Sequence, residues 1–296
     1  MDGDEFDQGY VNLREGDYPT SKMIKEELSK LWRKFEPYAD GNFREEFARN
    51  PDARFWEMFL CVSLLDAGKQ IVERKDRCEE GPDFLVHDGH TKIWIEAVTF
   101  GPGAEGRQDS VPEFSFDGTA QQVPVNQIEL RISGAFAEKR KKFAGYLKQG
   151  LISPDDLCLV AISPGRLSWL CNDHGRGSPL TVLYPIGDQY VTFFKDSDAT
   201  ESGYNARLDI EKTSGSKVPI GYLADETQKQ IAGVIWSRTG ISNFFEGGRG
   251  FHYFPNVVAE NSLNEGWMDW DCEWKVTAIE NGNVTMKRFY REETDD

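Results

Sequence analysis

The sequence predicts a mixed α/β fold with its core between residues 50 and 165. A helical pattern, three short strand-like runs, a second helical pattern and a continuous apolar run follow one another in that order. The last run, "DLCLVAIS", is typical of a buried strand, and the whole order is typical of a mixed sheet flanked by helices. No internal repeat or clear linker interrupts the chain, which favours one continuous domain. The expected segments are an acidic flexible N-terminus (1–20), the α/β core (21–165) and a β-rich C-terminal extension packed on the core (166–296).

Local signals place each element of the core. Residues 21–38 repeat apolar side chains at helical spacing. Asn50-Pro51-Asp52 then combines a helix N-cap, a proline suited to the first turn and an early acid, and the helix that follows is expected to end at Gly68. The remaining predicted elements are, in order, a strand (70–74), two strands on either side of Gly89, a long loop or lid (101–125), an amphipathic helix (126–150), the buried strand above, two strands (230–238 and 251–258) and a hairpin (273–290) turning at Asn281-Gly282.

Charge and cysteine content narrow the classes of function. The formal net charge of −16 argues against a protein that tracks phosphates over its whole surface. Residues 126–150 nevertheless carry six basic side chains against two acidic ones, so a local basic face is expected. The five cysteines are scattered without a CxxC pair, the start is acidic, and no apolar run approaches membrane-spanning length. These features predict a cytoplasmic protein with reduced thiols and no membrane association.

Two acidic side chains interrupt the predicted central hairpin. A two-residue loop of Gly89 and His90 would place Asp83 directly opposite Glu96. Opposed Cβ atoms in such a pair lie about 5 Å apart, and like charges there are destabilising. A divalent cation between the two would neutralise them, and Mg²⁺ prefers hard oxygen ligands of this kind. The alternative loop, Asp88-Gly89, would shift the register and separate the acids.

One charged residue falls inside the apolar stripe of each predicted core helix. Glu57 lies in the stripe of the first helix, and Lys139 lies in that of the helix over 126–150, where Arg131 and Lys142 flank it. Burying a lone charge is costly, so each needs a partner. A private salt bridge for each is one interpretation, and a site shared with the two hairpin acids is the other. Three acids and a lysine are the groups that metal-assisted phosphodiester hydrolysis uses.

These residues resemble the motif of the PD-(D/E)xK, or restriction-endonuclease-like, nuclease superfamily. The match consists of Pro82-Asp83, Glu96 in an apolar strand, the upstream helical Glu57 and a downstream helix, and it covers about residues 50–165. The sequence surrounding these motif residues also resembles a bacterial branch of that superfamily. The resemblance implies a restriction-endonuclease-like core, an Mg²⁺ or Mn²⁺ cofactor and hydrolysis of nucleic acid.

One residue departs from the superfamily pattern. The superfamily lysine stands two residues after the glutamate, and Val98 occupies that place here. Some members carry the lysine on the neighbouring helix instead, which makes Lys139 the candidate for the missing amine. If Lys139 faced solvent, the chain would be a degenerate nuclease that only binds.

The resemblance assigns a role to each candidate residue. Asp83 and Glu96, with the backbone carbonyl of Ala97, would hold Mg²⁺, and Glu57 would orient a metal-bound water or complete a second metal position. Lys139 would stabilise the attacking hydroxide or the developing negative charge. Arg131 and Lys142 would contact substrate phosphates.

The expected function is therefore a Mg²⁺-dependent endonuclease, with DNA favoured over RNA as its partner, in restriction or defence. A catalytically inactive nuclease fold that binds or regulates is the first alternative. An effector or immunity protein whose acidic surface meets a basic protein partner is the second. The sequence leaves open whether the chain acts as a homodimer, and whether Cys171 and His174 form a catalytic pair.

Overall fold

The structure, a computed structural model, is mixed α/β with a large sheet flanked by helices. It describes residues 6–78, 80–115, 117–165, 167, 169, 178–195, 200–245, 250–280 and 283–290. Within these residues the α-helices are α1 (Gln8–Glu15), α2 (Pro19–Phe35), α3 (Phe43–Arg49), α4 (Pro51–Asp66), α5 (Val125–Gln149) and α6 (Ser178–Leu183). The described strands are β1 (Gln70–Ile71), β2 (Phe84–Asp88), β3 (Thr91–Thr99), β4 (Leu157–Ser163), β5 (Ile186–Phe193), β6 (Thr200–Ala206), β7 (Asp209–Glu211), β8 (Lys217–Pro219), β9 (Ile231–Ser237), β10 (Phe251–Pro255), β11 (Cys272–Glu280) and β12 (Asn283–Tyr290).

One mixed sheet organises the described chain. Its strand order is β1-β2-β3-β4-β9-β10-β11-β12. Strands β3, β4 and β9 are mutually parallel, β10 and β11 form a second parallel pair, and the other neighbours are antiparallel. The pairs β5-β6 and β7-β8 form two small separate sheets. The order α4-β1-β2-β3-α5-β4 therefore agrees with the predicted order of the core.

Helices α4 and α5 cover opposite faces of the sheet. Side chains of β3 alternate between the two faces, as strand geometry requires: Ile95 and Ala97 pack in the core beneath α4, whereas Trp94 and Val98 pack beneath α5. Trp56 of α4 is buried and donates through its indole Nε1 to the carbonyl of β4 at a distance of 3.0 Å. This packing sets the depth of the two helices that carry Glu57 and Lys139.

Helix α4 begins and ends where the local signals predicted. The side chain of Asn50 accepts a hydrogen bond from the N–H of Ala53, and Pro51 occupies the first helical position. After the helix, Gly68 adopts a φ of 76°, a left-handed conformation that suits glycine best. The chain then turns into β1, which is shorter than the predicted strand because a 3₁₀ turn, Arg74–Asp76, follows it.

Two expectations about the ends of the chain are corrected. The segment expected to be flexible (1–20) contains helix α1, which is docked because the N–H of Asp7 donates to the carbonyl of Ala48 and Tyr10 stacks edge-on against Phe47. The C-terminal strands β9–β12 extend the core sheet edge to edge, so this half does not simply pack on the core. Both strands of the predicted C-terminal hairpin are present, and its turn at Asn281-Gly282 lies outside the described residues.

A buried ion pair fastens α5 to the C-terminal half. Glu129, whose side chain is 2% exposed, receives two hydrogen bonds from the guanidinium of Arg207, at 3.0 and 2.6 Å. The hydroxyl of Thr181 donates a third hydrogen bond at 2.7 Å. Such a bidentate, fully satisfied carboxylate is held rigidly, and it joins the helix of Lys139 to α6 and to the end of β6.

Among the described residues, no helix is long and apolar enough to cross a membrane. Of the cysteines described, Cys61, Cys158 and Cys272 are buried, Cys78 is exposed, and all four are free.

Candidate functional site

The central hairpin adopts the register that brings its acids together. Asp88 pairs with Thr91, and Phe84 pairs with Ile95, so the intervening loop is Gly89-His90 and the Asp88-Gly89 alternative is excluded. Gly89 has a φ of 60°, as the first central residue of a primed hairpin turn requires. Continuing this register by one residue beyond β2 places Asp83 across from Glu96.

Pro82 ends the backbone ladder at this point and changes what Ala97 bonds to. Pro82 would be the partner of Ala97 in the hairpin register, but proline has no N–H to donate. The N–H of Ala97 donates to Asp83 Oδ2 at 2.7 Å instead. The N–H and C=O of one strand residue point to the same side, so the Ala97 carbonyl also faces Asp83. The carboxylate of Asp83 and the backbone carbonyl of Ala97 therefore lie on the same side of β3.

Lys139 is buried against both hairpin acids. Its Nζ lies 2.7 Å from Glu96 Oε2 and 3.9 Å from Asp83 Oδ2, and its side chain is 8% exposed. Burial by itself would lower the pKa of the ammonium, but the charges of Asp83 and Glu96 outweigh this and raise the pKa above its ordinary value. Lys139 therefore stays protonated at neutral pH and supplies positive charge.

Glu96 is held from two further positions on α5. The phenol of Tyr146 donates to Glu96 Oε1 at 3.0 Å, and Lys142 Nζ lies 3.7 Å from Oε2. The Glu96 side chain is 1% exposed, whereas that of Lys142 is 45% exposed. Glu96 is consequently fixed in the interior, and Lys142 extends from the same place to the surface.

Glu57 approaches from α4 but has a salt bridge of its own. Its carboxylate accepts hydrogen bonds from Arg54 Nη1 at 2.9 and 2.7 Å and is 15% exposed. The private-partner interpretation therefore applies to Glu57, while Lys139 follows the shared-site interpretation. Glu57 is still coupled to the hairpin, because burial and then the charge of Asp83 raise its pKa to about 7 despite Arg54.

The excess of buried negative charge predicts an unusual dependence of stability on pH. Burial and the charge of Glu96 raise the pKa of Asp83 to about 6, so in the folded state Asp83 and Glu57 hold protons that the unfolded chain has already released. At these two groups the unfolded state binds fewer protons between about pH 4 and pH 7, so their contribution to stability falls as pH rises through this window.

We expect Asp83→Asn to stabilise the protein increasingly as pH rises. In chelator, its melting temperature should match that of the wild type near pH 4.5 and exceed it at pH 8 by an amount equivalent to about 1–2 kcal/mol. The control is Asp155→Asn, an exposed acid whose effect should not change with pH. A difference between Asp83→Asn and wild type that stays flat or turns negative with rising pH would contradict the burial of an ionised pair.

A cavity opens beside the acids on the β2 side. It has a volume of about 300 Å³ and is lined, among other residues, by Glu57, Asp83, Arg77, Lys92 and Trp94. Asp83 and Glu57 are thus reachable from this cavity, whereas Glu96, 1% exposed, does not line it.

Neither Arg131 nor Val98 contributes a polar group to the site. Arg131 lies about 12 Å along α5 from Lys139, and it donates to the carbonyl of Gly101 and to Asp109 Oδ2, each at 3.0 Å. It therefore anchors the segment before α5, which is a loop as predicted over its described residues (101–115 and 117–124), and the structure does not bring Arg131 to the site. Val98 packs in the apolar core beneath α5.

Several site residues were missed by reasoning from the sequence. Tyr146 is not among the predicted site residues, although its spacing of seven residues from Lys139 places both on one helix face. Arg54 lies one turn before Glu57, and this i,i+3 spacing was a usable signal. Arg77 gave no signal in the sequence. Cys171 and His174 lie outside the described residues.

The oxygen donors of Asp83, Glu96 and Ala97 are of the chemical type that binds a hard divalent cation. No three His, Cys, Asp or Glu side chains among the described residues are grouped so that they could hold a metal by themselves. A cation here would depend on Asp83, Glu96 and the backbone oxygen of Ala97. Oxygen donors of this sort suit Mg²⁺ or Mn²⁺.

Comparison with known proteins returns no match from family models, from curated proteins or from solved structures.

Proposed function

We propose that the chain is a Mg²⁺-dependent (or Mn²⁺-dependent) endonuclease of the restriction-endonuclease-like class that hydrolyses phosphodiester bonds of DNA. The observation that carries this proposal is the convergence of Asp83, Glu96 and Lys139 from three separate segments into one small cluster, in which Glu96 and Lys139 are buried and Asp83 is 28% exposed. A purely structural role for Lys139 would need one acid. Two acids that repel each other cost stability, and that cost is typical of a functional site.

The arrangement of the core supports the same class. The element order α4-β1-β2-β3-α5-β4 carries the acids at the start of β2 and in β3, with the lysine on the helix that follows. Helices α4 and α5 cover opposite faces of the sheet, so Glu57 and Lys139 approach the hairpin acids from opposite sides. The mixed α/β arrangement, a large sheet flanked by helices, supports the proposed class.

Each residue has a defined task in this proposal. Asp83, Glu96 and the Ala97 carbonyl would hold the metal ion, which supplies Lewis-acid stabilisation and a more acidic bound water. Lys139, being protonated, stabilises the negative charge that develops on the phosphate and does not act as a base. Tyr146 keeps Glu96 oriented.

Two further residues complete the proposed site. Glu57, with a pKa of about 7, can hold or release a proton of the attacking water near neutral pH. Lys142, which is exposed beside Glu96, is the residue placed to meet a substrate phosphate. The net charge of −16 restricts any nucleic-acid contact to such a local surface.

The direct test is cleavage of supercoiled plasmid in Mg²⁺, in Mn²⁺ and in chelator, with an RNA substrate in parallel. We expect nicking or linearisation with either metal and none in chelator. Asp83→Asn and Glu96→Gln should each lower the rate by about 10³-fold or more, since each removes a ligand of the Lewis acid. Glu138→Gln, a neighbouring exposed acid, is the matched control. Metal-independent cleavage, or full activity in both site variants, would refute the proposal.

A catalytically inactive binding protein is the second candidate, and the satisfied site favours it. Both oxygens of Glu96 already have partners in Lys139 and Tyr146, and Glu57 is paired with Arg54. In this case plasmid stays intact with every metal. Retention of DNA would then distinguish a nucleic-acid binder from an acidic protein that meets a basic protein partner.

A further inference from the structure

Arg77 is a partly buried cation with an unused hydrogen-bond donor. It lies on the turn that precedes β2, and its Nη1 donates to the carbonyl of Pro82 at 2.9 Å. Its Nε is buried and has no hydrogen-bond partner. Arg74, three residues earlier, differs because it donates both to Asp40 and to the carbonyl of Cys78.

The charge of Arg77 is poorly compensated by its surroundings. Burial and the neighbouring positive charge of Arg74 lower the pKa of its guanidinium, and the more distant acids do not offset them. Arg54 is the contrast, since burial also acts to lower its pKa, but its contact with Glu57 outweighs this and raises the pKa. A buried charged donor without an acceptor costs free energy, and an anionic ligand would remove that cost.

The cavity next to Arg77 is also lined by Asp83, one of the proposed metal ligands. Arg77, Lys92 and Asp83 all line this space of about 300 Å³. That volume is at the lower end of sites for small molecules. It is enough for a phosphate with an attached nucleoside and too small for a duplex.

We propose that Arg77 and this cavity bind a phosphate group of the nucleic-acid strand, next to the phosphate that is cleaved at Asp83 and Glu96. This inference rests on the proposed nuclease function. A planar guanidinium recognises phosphate oxygens through its N–H groups, and Arg77 lines the cavity while its Nε has no hydrogen-bond partner. Its Nη1 contact with Pro82 ties the phosphate subsite to the backbone that precedes Asp83, so both move together.

The phosphate can come from a strand end or from the interior of a strand, and binding measurements separate the two. We would measure the affinity of short single-stranded oligonucleotides of one sequence that carry a 5′-phosphate, a 3′-phosphate or only hydroxyl ends. Chelator is present throughout, so no cleavage is needed. Arg77→Met should weaken binding about tenfold, whereas Arg33→Met, which removes an exposed arginine of α2, should change it less than twofold.

The pattern of loss identifies the source of the phosphate. A loss confined to one phosphorylated oligonucleotide supports a terminal phosphate, and an equal loss for all three supports an internal one. Arg77→Lys keeps the charge and a donor for Pro82, so it should fold as the wild type does and lose part of the affinity. Wild-type affinity for every oligonucleotide in both Arg77 variants would overturn the inference.

Failure of this inference and failure of the nuclease proposal have different signatures. If plasmid is cleaved but Arg77 variants bind normally, the phosphate subsite is wrong and the nuclease stands. If no plasmid is cleaved while Arg77→Met loses affinity in chelator, the phosphate subsite stands and belongs to a binding protein.

Discussion

Replacement of Lys139 by methionine is expected to lower metal-dependent DNA cleavage by about 10²- to 10⁴-fold. The ammonium is the closest positive charge to Glu96 and also faces Asp83, and its raised pKa means that it acts as a cation. Lys139→Arg keeps that charge, so it should retain at least about tenfold more activity than the methionine variant. Initial rates on supercoiled plasmid, at saturating Mg²⁺, measure both changes.

Two measurements distinguish a loss of catalysis in Lys139→Met from a loss of folding. Lys141→Met removes an exposed lysine from the same helix and should cleave at the wild-type rate. Lys139→Met leaves Glu96 buried with Tyr146 and Lys142, so its thermal melt must be recorded beside its rate. Equal cleavage by wild type and a folded methionine variant would show that the amine has no catalytic role. Equal inactivity of the arginine and methionine variants would point to a lysine that must lose its proton.

Removal of Arg207 is expected to have the largest effect on stability. Arg207→Ala leaves the carboxylate of Glu129, 2% exposed, with only the hydroxyl of Thr181 as a described partner. We expect a loss of about 2–3 kcal/mol, at the lower end for a broken buried pair because the arginine side is 29% exposed. In a chain of this size that loss corresponds to a drop in melting temperature of about 5 °C.

A double-mutant cycle tests the origin of that loss. Glu129→Gln combined with Arg207→Ala should be more stable than Arg207→Ala alone, because the amide removes the unpaired charge. Lys217→Ala breaks the exposed pair with Asp209 and should cost less than about 1 kcal/mol. Additive effects of the Glu129 and Arg207 changes would contradict a direct charge pair. Since the pair lies on α5, the same variants report whether the C-terminal half supports the helix of Lys139.

The charge arrangement at the site also links stability to the proposed chemistry. Asp83 is destabilising when ionised, so the substitution that should abolish cleavage should also stabilise the metal-free protein above about pH 6. A functional site that gathers like charges in the protein interior commonly lowers the stability of the fold. Glu96→Gln, which removes an ionic partner of Lys139, should instead lower the stability of the metal-free protein. That result would strengthen this interpretation.

Much of the core could be read from the sequence because it depends on neighbours along the chain. Caps at Asn50 and Gly68, helical spacing in α2, α4 and α5, and the Gly89-His90 loop are local, and the loop sets the hairpin register. That register, with the helical phases of Glu57 and Lys139, was sufficient to place Asp83, Glu96 and Lys139 in one interior.

The tertiary structure alone decided which distant partner each exposed or charged side chain took. Arg131 binds Asp109 and Glu129 binds Arg207, and β9–β12 join the core sheet rather than packing on it. Each charged side chain could form several ion pairs of similar energy, and only the packing of the whole chain selects one of them. Sequence periodicity thus determined which faces are buried, whereas contacts between segments far apart in sequence determined what each buried charge meets.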